Sequence, residues 1–280
     1  MKWRGRRGSG NIEDRRRSSR GGGRQLSLVG VLLVLGVGYF FGVDVTPLLQ
    51  GTGVGVQQTQ TNTTITPEDE AAAQFVSVTL ADTEEVWADI FERQLNQTYD
   101  PTTLVLFKGA TQSPCGGASG ASGPFYCPVD EKAYLDTAFF VTMEQRLGAG
   151  GDFAAAYVVA HEVAHHVQNE LGLLQSMRQT NEAQNRQTVR IELMADCFSG
   201  VWARQAEAKF GSLEPGDIQE AMNAAKQIGD DTLQRNAGQA PRPHTYTHGT
   251  SEQRMRWFQT GFETGDINRC DTREIPYARL

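Results

Sequence analysis

Charged side chains are missing from nineteen consecutive residues near the start of this 280-residue sequence, at positions 25–43. At about 1.5 Å per residue, a helix of this length spans about 28 Å, close to the hydrocarbon thickness of a bilayer. No A-x-A-like cleavage site follows the run, which also exceeds the apolar core of about 7–15 residues typical of signal peptides. We therefore predict one transmembrane helix, with a cleaved signal peptide as the alternative.

The net charge of −7 combines two parts of opposite sign. Residues 1–24 contain nine Lys or Arg and two acids, which gives +7, whereas the remainder contains 17 bases and 31 acids, which gives −14. Because basic flanks stay in the cytoplasm, the N-terminus is predicted inside and the body in the periplasm or outside the cell. An acidic body argues against nucleic acid as a partner. The predicted domains are a basic cytoplasmic head (1–24), the transmembrane helix, a flexible stalk (44–66) and a globular domain (67–280).

The four cysteines include no C-x-x-C pair, which disfavours a zinc site made of thiolates. In a domain outside the cytoplasm, an even number of cysteines favours disulfides, and four cysteines allow three pairings. We favour Cys115–Cys127, which closes the glycine-rich loop CGGASGASGPFYC, and by elimination Cys197–Cys270. Four free buried thiols are the alternative.

Helical patterns dominate the globular domain, and only a few short apolar runs have the character of strands. The strand candidates are Leu104–Phe107, Phe125–Cys127 and Ala133–Asp136. The predicted helices cover 69–97 with a break near Asp82, then 139–147, 153–171, 181–210, 215–233 and 250–262. The expected fold is α+β and mostly helical, with a small sheet placed before a central helix.

That central helix contains His161-Glu162-Val163-Ala164-His165. Histidines four residues apart lie on the same helix face, where two ring nitrogens can bind one zinc ion at about 2.0–2.1 Å. Glu162 lies about 100° from His161, from where it can take a proton from zinc-bound water and deliver it to a leaving amine. The flanking residues, AAYVVAHEVAHHVQ, are apolar, so these histidines are expected to be buried and to need a partner such as a metal.

Catalytic zinc needs a third protein ligand and one open position. Position 171 is Leu, which excludes the H-E-x-x-H-x-x-G-x-x-H class with three histidines. Two acids four residues apart, Glu192 and Asp196, instead interrupt the apolar stretch IELMADCFSGVW on the next long helix. Both are explained if Glu192 binds the metal and Asp196 accepts from the other N–H of a ligand histidine. Ion pairing with Arg186 or Arg190 is the alternative.

A few more side chains are candidates for supporting roles. His248 and Tyr246 lie in a loop before a capped helix, and either can donate to the oxyanion of a tetrahedral intermediate; we assign His248 as catalytic. His166 is interpreted as polar support and Tyr157 as core packing. Tyr134–Asp136 is expected at the sheet edge on which an extended peptide lies.

Three segments, HEVAHHVQN, IELMADCFSGVWA and HGTSEQRMRWFQTGF, together resemble the bacterial family of putative neutral zinc metallopeptidases, which is related to the gluzincins. The resemblance covers about residues 67–275, and this chain has Ala164 where family members usually have Gly. It implies a zincin-like, minimal gluzincin fold with Glu162 as catalytic base, Asp196 as support, and three zinc ligands, His161, His165 and Glu192.

The sequence therefore predicts a membrane-anchored zinc peptidase that acts on a protein or peptide substrate, with Zn²⁺ as cofactor. A non-catalytic envelope protein that uses zinc structurally and binds a partner is the alternative. An amidase acting on cell-wall peptides would share the same chemistry and differ in substrate.

Overall fold

The computed structural model describes residues 1–17, 64–119 and 123–280. The predicted transmembrane helix at 25–43, and residues 44–63 of the predicted stalk, lie outside these ranges. Among the described residues, no helix combines the length and the apolar character needed to cross a membrane.

The described chain is α+β and mostly helical with a small sheet, as the sequence predicts. Its strands are β1 (Ile12–Asp14), β2 (Thr103–Phe107), β3 (Ala110–Ser113), β4 (Gly116–Ser119), β5 (Phe125–Cys127) and β6 (Lys132–Asp136). Its α-helices are α1 (Pro67–Ile90), α2 (Ala138–Leu147), α3 (Asp152–Glu170), α4 (Leu173–Arg178), α5 (Gln184–Phe210), α6 (Asp217–Gln227), α7 (Asp230–Asn236) and α8 (Ser251–Thr264). The three predicted strands are confirmed as β2, β5 and β6.

Four strands form one sheet in the order β1-β2-β6-β5. Strands β1, β2 and β6 run parallel, whereas β5 runs antiparallel to β6, with Phe125 opposite Tyr134. Because Phe125 of β5 pairs with Tyr134, the expectation that Tyr134–Asp136 forms the sheet edge is wrong for Tyr134. The edge strands of this sheet are β1 and β5. Strands β3 and β4 form a separate antiparallel hairpin.

Two predicted helix boundaries differ from the structure for identifiable reasons. Helix α1 continues through Asp82 because Arg6 donates to both oxygens of this buried carboxylate at 2.7 Å. The stretch 215–233 forms two helices, α6 and α7, which are separated at Gly229. A Cβ at Gly229 would lie 2.4 Å from the backbone nitrogen of Ser251, so the chain passes too close to the start of α8 for a larger residue.

The basic N-terminal segment packs on the body instead of standing apart from it. Met1–Arg16 belongs to the same compact unit as Ile65–Leu280. Its strand β1 pairs in register with β2, from Ile12 opposite Leu104 onward. Residues 1–16 of the predicted head are therefore part of the globular unit, because β1 joins them to the sheet. The sequence did not reveal this strand because three residues are too few to show alternation.

Helix α3 occupies the centre of the body, and its side chains are buried from Phe153 to Gln168. Helices α1, α5 and α6 pack against it. A helix that is buried on all sides is expected to be mostly apolar all around, and the sequence of α3 has this character. The polar residues that it carries therefore need partners inside the protein.

Helices α5 and α8 cross at a contact between two glycines. A Cβ on Gly200 would lie 2.0 Å from the carbonyl oxygen of Phe258, and one on Gly261 would lie 1.9 Å from that of Cys197. The two backbones are in direct contact, which a side chain at either position would prevent. This close approach brings the second half of α8 against the middle of α5.

The substitution Gly200→Ala is expected to lower the free energy of unfolding by about 3 kcal/mol or more, because the added methyl group meets backbone atoms that cannot rotate away. Thermal denaturation followed by circular dichroism measures the effect. Gly10→Ala is the control, since a Cβ there has no neighbouring heavy atom within 4 Å. Equal melting temperatures for both variants would contradict the direct backbone contact.

Both predicted disulfides are present, Cys115–Cys127 and Cys197–Cys270. The first joins the turn between β3 and β4 to the edge strand β5. The second joins the middle of α5 to the turn Ile267–Cys270 that follows α8. All four cysteines of the sequence are thereby paired.

Candidate metal centre and cleft

Two histidines of α3 form the first part of the candidate site. His161 and His165 are both buried, and their ring centroids lie 4.8 Å apart with the ring planes at 88°. Four residues turn an α-helix by slightly more than one full turn, which places the two rings one above the other. Their Nε2 atoms face the same carboxylate on α5.

That carboxylate belongs to Glu192. Its Oε2 lies 3.1 Å from Nε2 of His161, and its Oε1 lies 3.5 Å from Nε2 of His165. Burial acts to raise the pKa of Glu192, but the two histidines outweigh it and hold the pKa well below its usual range. One ligand atom from each of the three residues lies within 4.8 Å of the other two, and two imidazoles with one carboxylate are a donor set that suits zinc.

Each of these histidines has a polar partner at its other ring nitrogen. Nδ1 of His161 lies 2.9 Å from Oδ1 of Asp196, in a contact that is off the N–H axis. Nδ1 of His165 lies 2.9 Å from Oε1 of Gln168, whose amide nitrogen donates to the carbonyl of Ile191 at 2.7 Å. The protons therefore belong on Nδ1, and the Nε2 atoms are the ones available to a metal.

Asp196 is fully buried and is held by two further side chains. Arg254 donates from Nε to Oδ2 and from Nη2 to Oδ1, both at 2.9 Å, and the hydroxyl of Tyr157 donates to Oδ1 at 2.5 Å. Burial alone would raise the pKa of Asp196, but Arg254 and then His161 hold it below its usual value. Asp196 is thus an ionised carboxylate that links Arg254 to His161.

Sequence reasoning missed three of these supporting residues, Arg254, Gln168 and Tyr157, and the interpretation of Tyr157 as core packing overlooked its hydrogen bond to Asp196. Arg254 lies 58 residues from Asp196 on another helix, and no local pattern connects them. Gln168 follows the second motif histidine by three residues, and this spacing on one helix face is a signal that could have identified it. The alternative of ion pairing with an arginine is confirmed for Asp196, but the partner is Arg254, since Arg190 donates to Glu182 at 2.6 Å.

Glu162 is buried and lines the same cavity as the two histidines, a space of about 920 Å³. Burial raises the pKa of Glu162, and its electrostatic interactions with His161 and then His165 oppose this increase. A carboxylate with a raised pKa that borders open space is suited to accept a proton from a reacting group.

His248 lines this cavity from the loop between α7 and α8. Its Nδ1 lies 3.3 Å from Oδ1 of Asp230, whose Oδ2 accepts from three consecutive backbone N–H groups of the same loop at 2.7–3.0 Å. Burial lowers the pKa of His248, but Asp230 and then Glu192 raise it above its usual value. Tyr246 is buried and does not border the cavity, so His248 is the member of the predicted pair that faces it.

His166 links α3 to the edge strand of the sheet. Its Nε2 donates to the carbonyl of Asp100 at 2.7 Å, and its Nδ1 accepts from the hydroxyl of Tyr126 at 3.1 Å. Burial lowers the pKa of His166, which favours the neutral ring that this pattern requires. Since Tyr126 belongs to β5, the contact fixes the edge strand beside the cavity.

A helix that carries H-E-x-x-H, together with a glutamate from a later helix, is an arrangement of metal-binding residues typical of zinc peptidases. The chain belongs to the family described as "Putative neutral zinc metallopeptidase", whose model matches residues 1–273. "Uncharacterized protein YpfJ" of Escherichia coli strain K12 is 46% identical over 286 residues, which cover 97% of this chain and 98% of that protein. "Uncharacterized protein Rv2575" of Mycobacterium tuberculosis strain H37Rv is 46% identical over 184 residues, 62% of this chain and 63% of that protein. No solved structure matches the chain.

Proposed function

We propose that the protein is a zinc-dependent peptidase with a zincin-like fold. The observation that carries this proposal is the convergence of His161, His165 and Glu192, with ligand atoms within 4.8 Å of one another, at a cavity that Glu162 also borders. Membership in a family described as zinc metallopeptidases supports the same function.

The side chains have separate roles in this reaction. His161, His165 and Glu192 hold the zinc ion, which polarises the scissile carbonyl and activates water when bound. Glu162 accepts the proton of the attacking water and later delivers it to the leaving amine. Because Glu162 is buried, its proton transfers are shielded from bulk solvent.

His248 is placed to stabilise the charge that develops on the substrate carbonyl oxygen. With Nδ1 directed at Asp230, its Nε2 is the ring nitrogen left to donate towards the cavity. The raised pKa of His248 favours the protonated ring, which can donate from both nitrogens at once. Such a fixed donor acts most strongly as negative charge builds up on the oxygen.

The edge strand β5 supports a peptide as the class of substrate. Phe125 and Tyr126 of this strand line the cavity together with the metal-binding residues. Within the described sheet, β5 pairs with a strand on one side, so its other side can accept an extended peptide by main-chain hydrogen bonds. The bond between His166 and Tyr126 keeps this strand in place against α3.

A structural zinc site in a protein-binding module is the second candidate function. Structural zinc has four protein ligands, whereas the described cluster offers three, and they border a cavity of about 920 Å³. This open position favours catalysis. An amidase that cleaves cell-wall peptides would use the same groups, so the choice between peptidase and amidase depends on substrate.

Metal analysis and cleavage assays on the purified full-length chain test the proposal. Stoichiometric zinc and cleavage of casein, lost on chelation and restored by added zinc, are the expected results. Release of peptides from purified cell wall, without cleavage of casein, would identify an amidase instead. Bound zinc with neither activity would favour the structural role, and absence of zinc would overturn the metal site.

The substitution His248→Gln is expected to lower kcat by about 10²–10³-fold while zinc content is unchanged, because one donor to the developing oxyanion is lost. His244→Gln is the matched control, since His244 lies in the same loop, is exposed and does not border the cavity. Initial rates with a fluorogenic peptide measure both variants. Equal kcat for the two would show that His248 only orders the loop.

A further inference from the structure

The N-terminal segment is built into the globular body by apolar packing and by strand pairing. Trp3 is 8% exposed, and its ring meets Phe75 of α1 edge-on with centroids 5.5 Å apart. Strand β1 pairs with β2 over three residues and so extends the sheet. A basic tail that only flanks a membrane would bury neither an aromatic ring nor a strand.

Ion pairs join the same segment to two other parts of the body. Arg6 binds both carboxylate oxygens of Asp82 in α1, a residue that is 3% exposed. Glu13 of β1 accepts from Nζ of Lys132 in β6 at 2.7 Å. A carboxylate as buried as Asp82 needs a cationic partner, so Arg6 belongs to the folded structure and is not simply a free positive charge.

We propose that residues 1–17 and 64–280 lie on the same side of the membrane, with β1 pairing in cis as a strand of the globular domain. A single crossing at 25–43 would put β1 and β2 on opposite sides of a bilayer, and the two strands could not then pair. This arrangement is incompatible with the topology predicted from the sequence, in which the head is cytoplasmic and a single crossing separates it from the body.

The matches with the family and with a relative both include the N-terminal segment. The family model matches from residue 1 to residue 273, so the N-terminal segment is part of what defines the family. The relative from E. coli likewise aligns over 97% of this chain. The N-terminal segment therefore lies within the matched part of the chain, as the metal site does.

Gly8 and Ser77 allow a direct test in cells. A Cβ on Gly8 would lie 3.4 Å from the Cβ of Ser77 in α1, and the Cβ atoms of disulfide-bonded cysteines lie about 3.5–4.5 Å apart. The full-length chain with Gly8→Cys and Ser77→Cys is expressed, cells are treated with a mild thiol oxidant, and free thiols are blocked before lysis. Mass spectrometry is expected to find the two peptides linked within one chain.

The matched control combines Gly10→Cys with Ser77→Cys, because a Cβ on Gly10 has no heavy atom within 4 Å. This pair is expected to link at least ten-fold less. Free, alkylated thiols at both positions of the Gly8 pair would overturn the proposal. A link between two chains would show that β1 pairs in trans, which would overturn pairing in cis.

Labelling with a membrane-impermeant maleimide shows on which side of the membrane a cysteine lies. The measurement does not depend on peptidase activity. Gly10→Cys probes the N-terminal segment, and Val129→Cys, at a residue that is 70% exposed, probes the body. The native cysteines do not react with the maleimide because all four are in disulfides. In intact membrane vesicles of known orientation, equal labelling of both variants is expected. Labelling of one variant alone would overturn the proposal and restore the single crossing.

Discussion

The variant Glu162→Gln is expected to bind zinc stoichiometrically and to lose about 10²–10⁴-fold in kcat for peptide cleavage. Glutamine has nearly the shape of glutamate and can still accept a hydrogen bond, but it cannot take up a proton at neutral pH. The metal ligands are His161, His165 and Glu192 in the proposed site, so the exchange leaves zinc binding intact. A loss of 10³-fold corresponds to about 4 kcal/mol of transition-state stabilisation.

The effect is expected in kcat and not in KM, because the carboxylate acts on the attacking water and not on the bound peptide. A variant that lowers kcat and kcat/KM equally has lost an interaction made only in the transition state. Steady-state kinetics with a fluorogenic peptide, together with metal analysis of the same preparation, measure both quantities.

Glu170→Gln is the matched control for this variant, since Glu170 lies at the C-terminal end of the same helix. Both of its oxygens accept from the backbone N–H of Asp100, and glutamine keeps one acceptor there. The control should retain near wild-type kcat. If Glu162→Gln kept more than a tenth of wild-type kcat, Glu162 would not be the general base.

Local spacing explains why the core of the site could be predicted from the sequence. The histidines of H-E-x-x-H must share a helix face because of the helical repeat alone. Glu192 and Asp196 could be identified because charged residues in an apolar stretch need partners. In each case the signal lies within one helix, and the structure brings those four residues together.

Long-range partners explain what could not be predicted. Arg254 pairs with Asp196 where two glycines let α8 contact α5. Glycines within these helices indicate close packing, but they do not indicate which helix packs there. Asp82 resembles a helix breaker until Arg6, 76 residues earlier, is known to bind it. Strand β1 is three residues of I-E-D, too short and too polar to show alternation. Such pairings depend on tertiary contacts.

The variant Glu192→Gln is expected to lower zinc affinity by more than about 100-fold, because it removes the negative charge from a direct ligand. Loss of a residue that only hydrogen-bonds to a ligand typically lowers the affinity by about 10–100-fold. The side chain of Glu192 is 13% exposed and faces the two histidines at the cavity, so the metal-free protein should keep its fold. Competition with a zinc chelator measures the affinity. Glu207→Gln, at an exposed position later in the same helix, should leave the affinity unchanged.

Asp196→Asn should behave differently and so separates a ligand from a supporting residue. It leaves the buried Arg254 guanidinium without its counter-charge, which is expected to cost about 3–5 kcal/mol in the free energy of unfolding. Its zinc affinity should fall by about 10–100-fold, since His161 loses the carboxylate that orients it. Glu192→Gln should thus lose more metal and less stability than Asp196→Asn. The reverse order, measured by chelator competition and thermal denaturation of the metal-free proteins, would exchange the roles of the two acids.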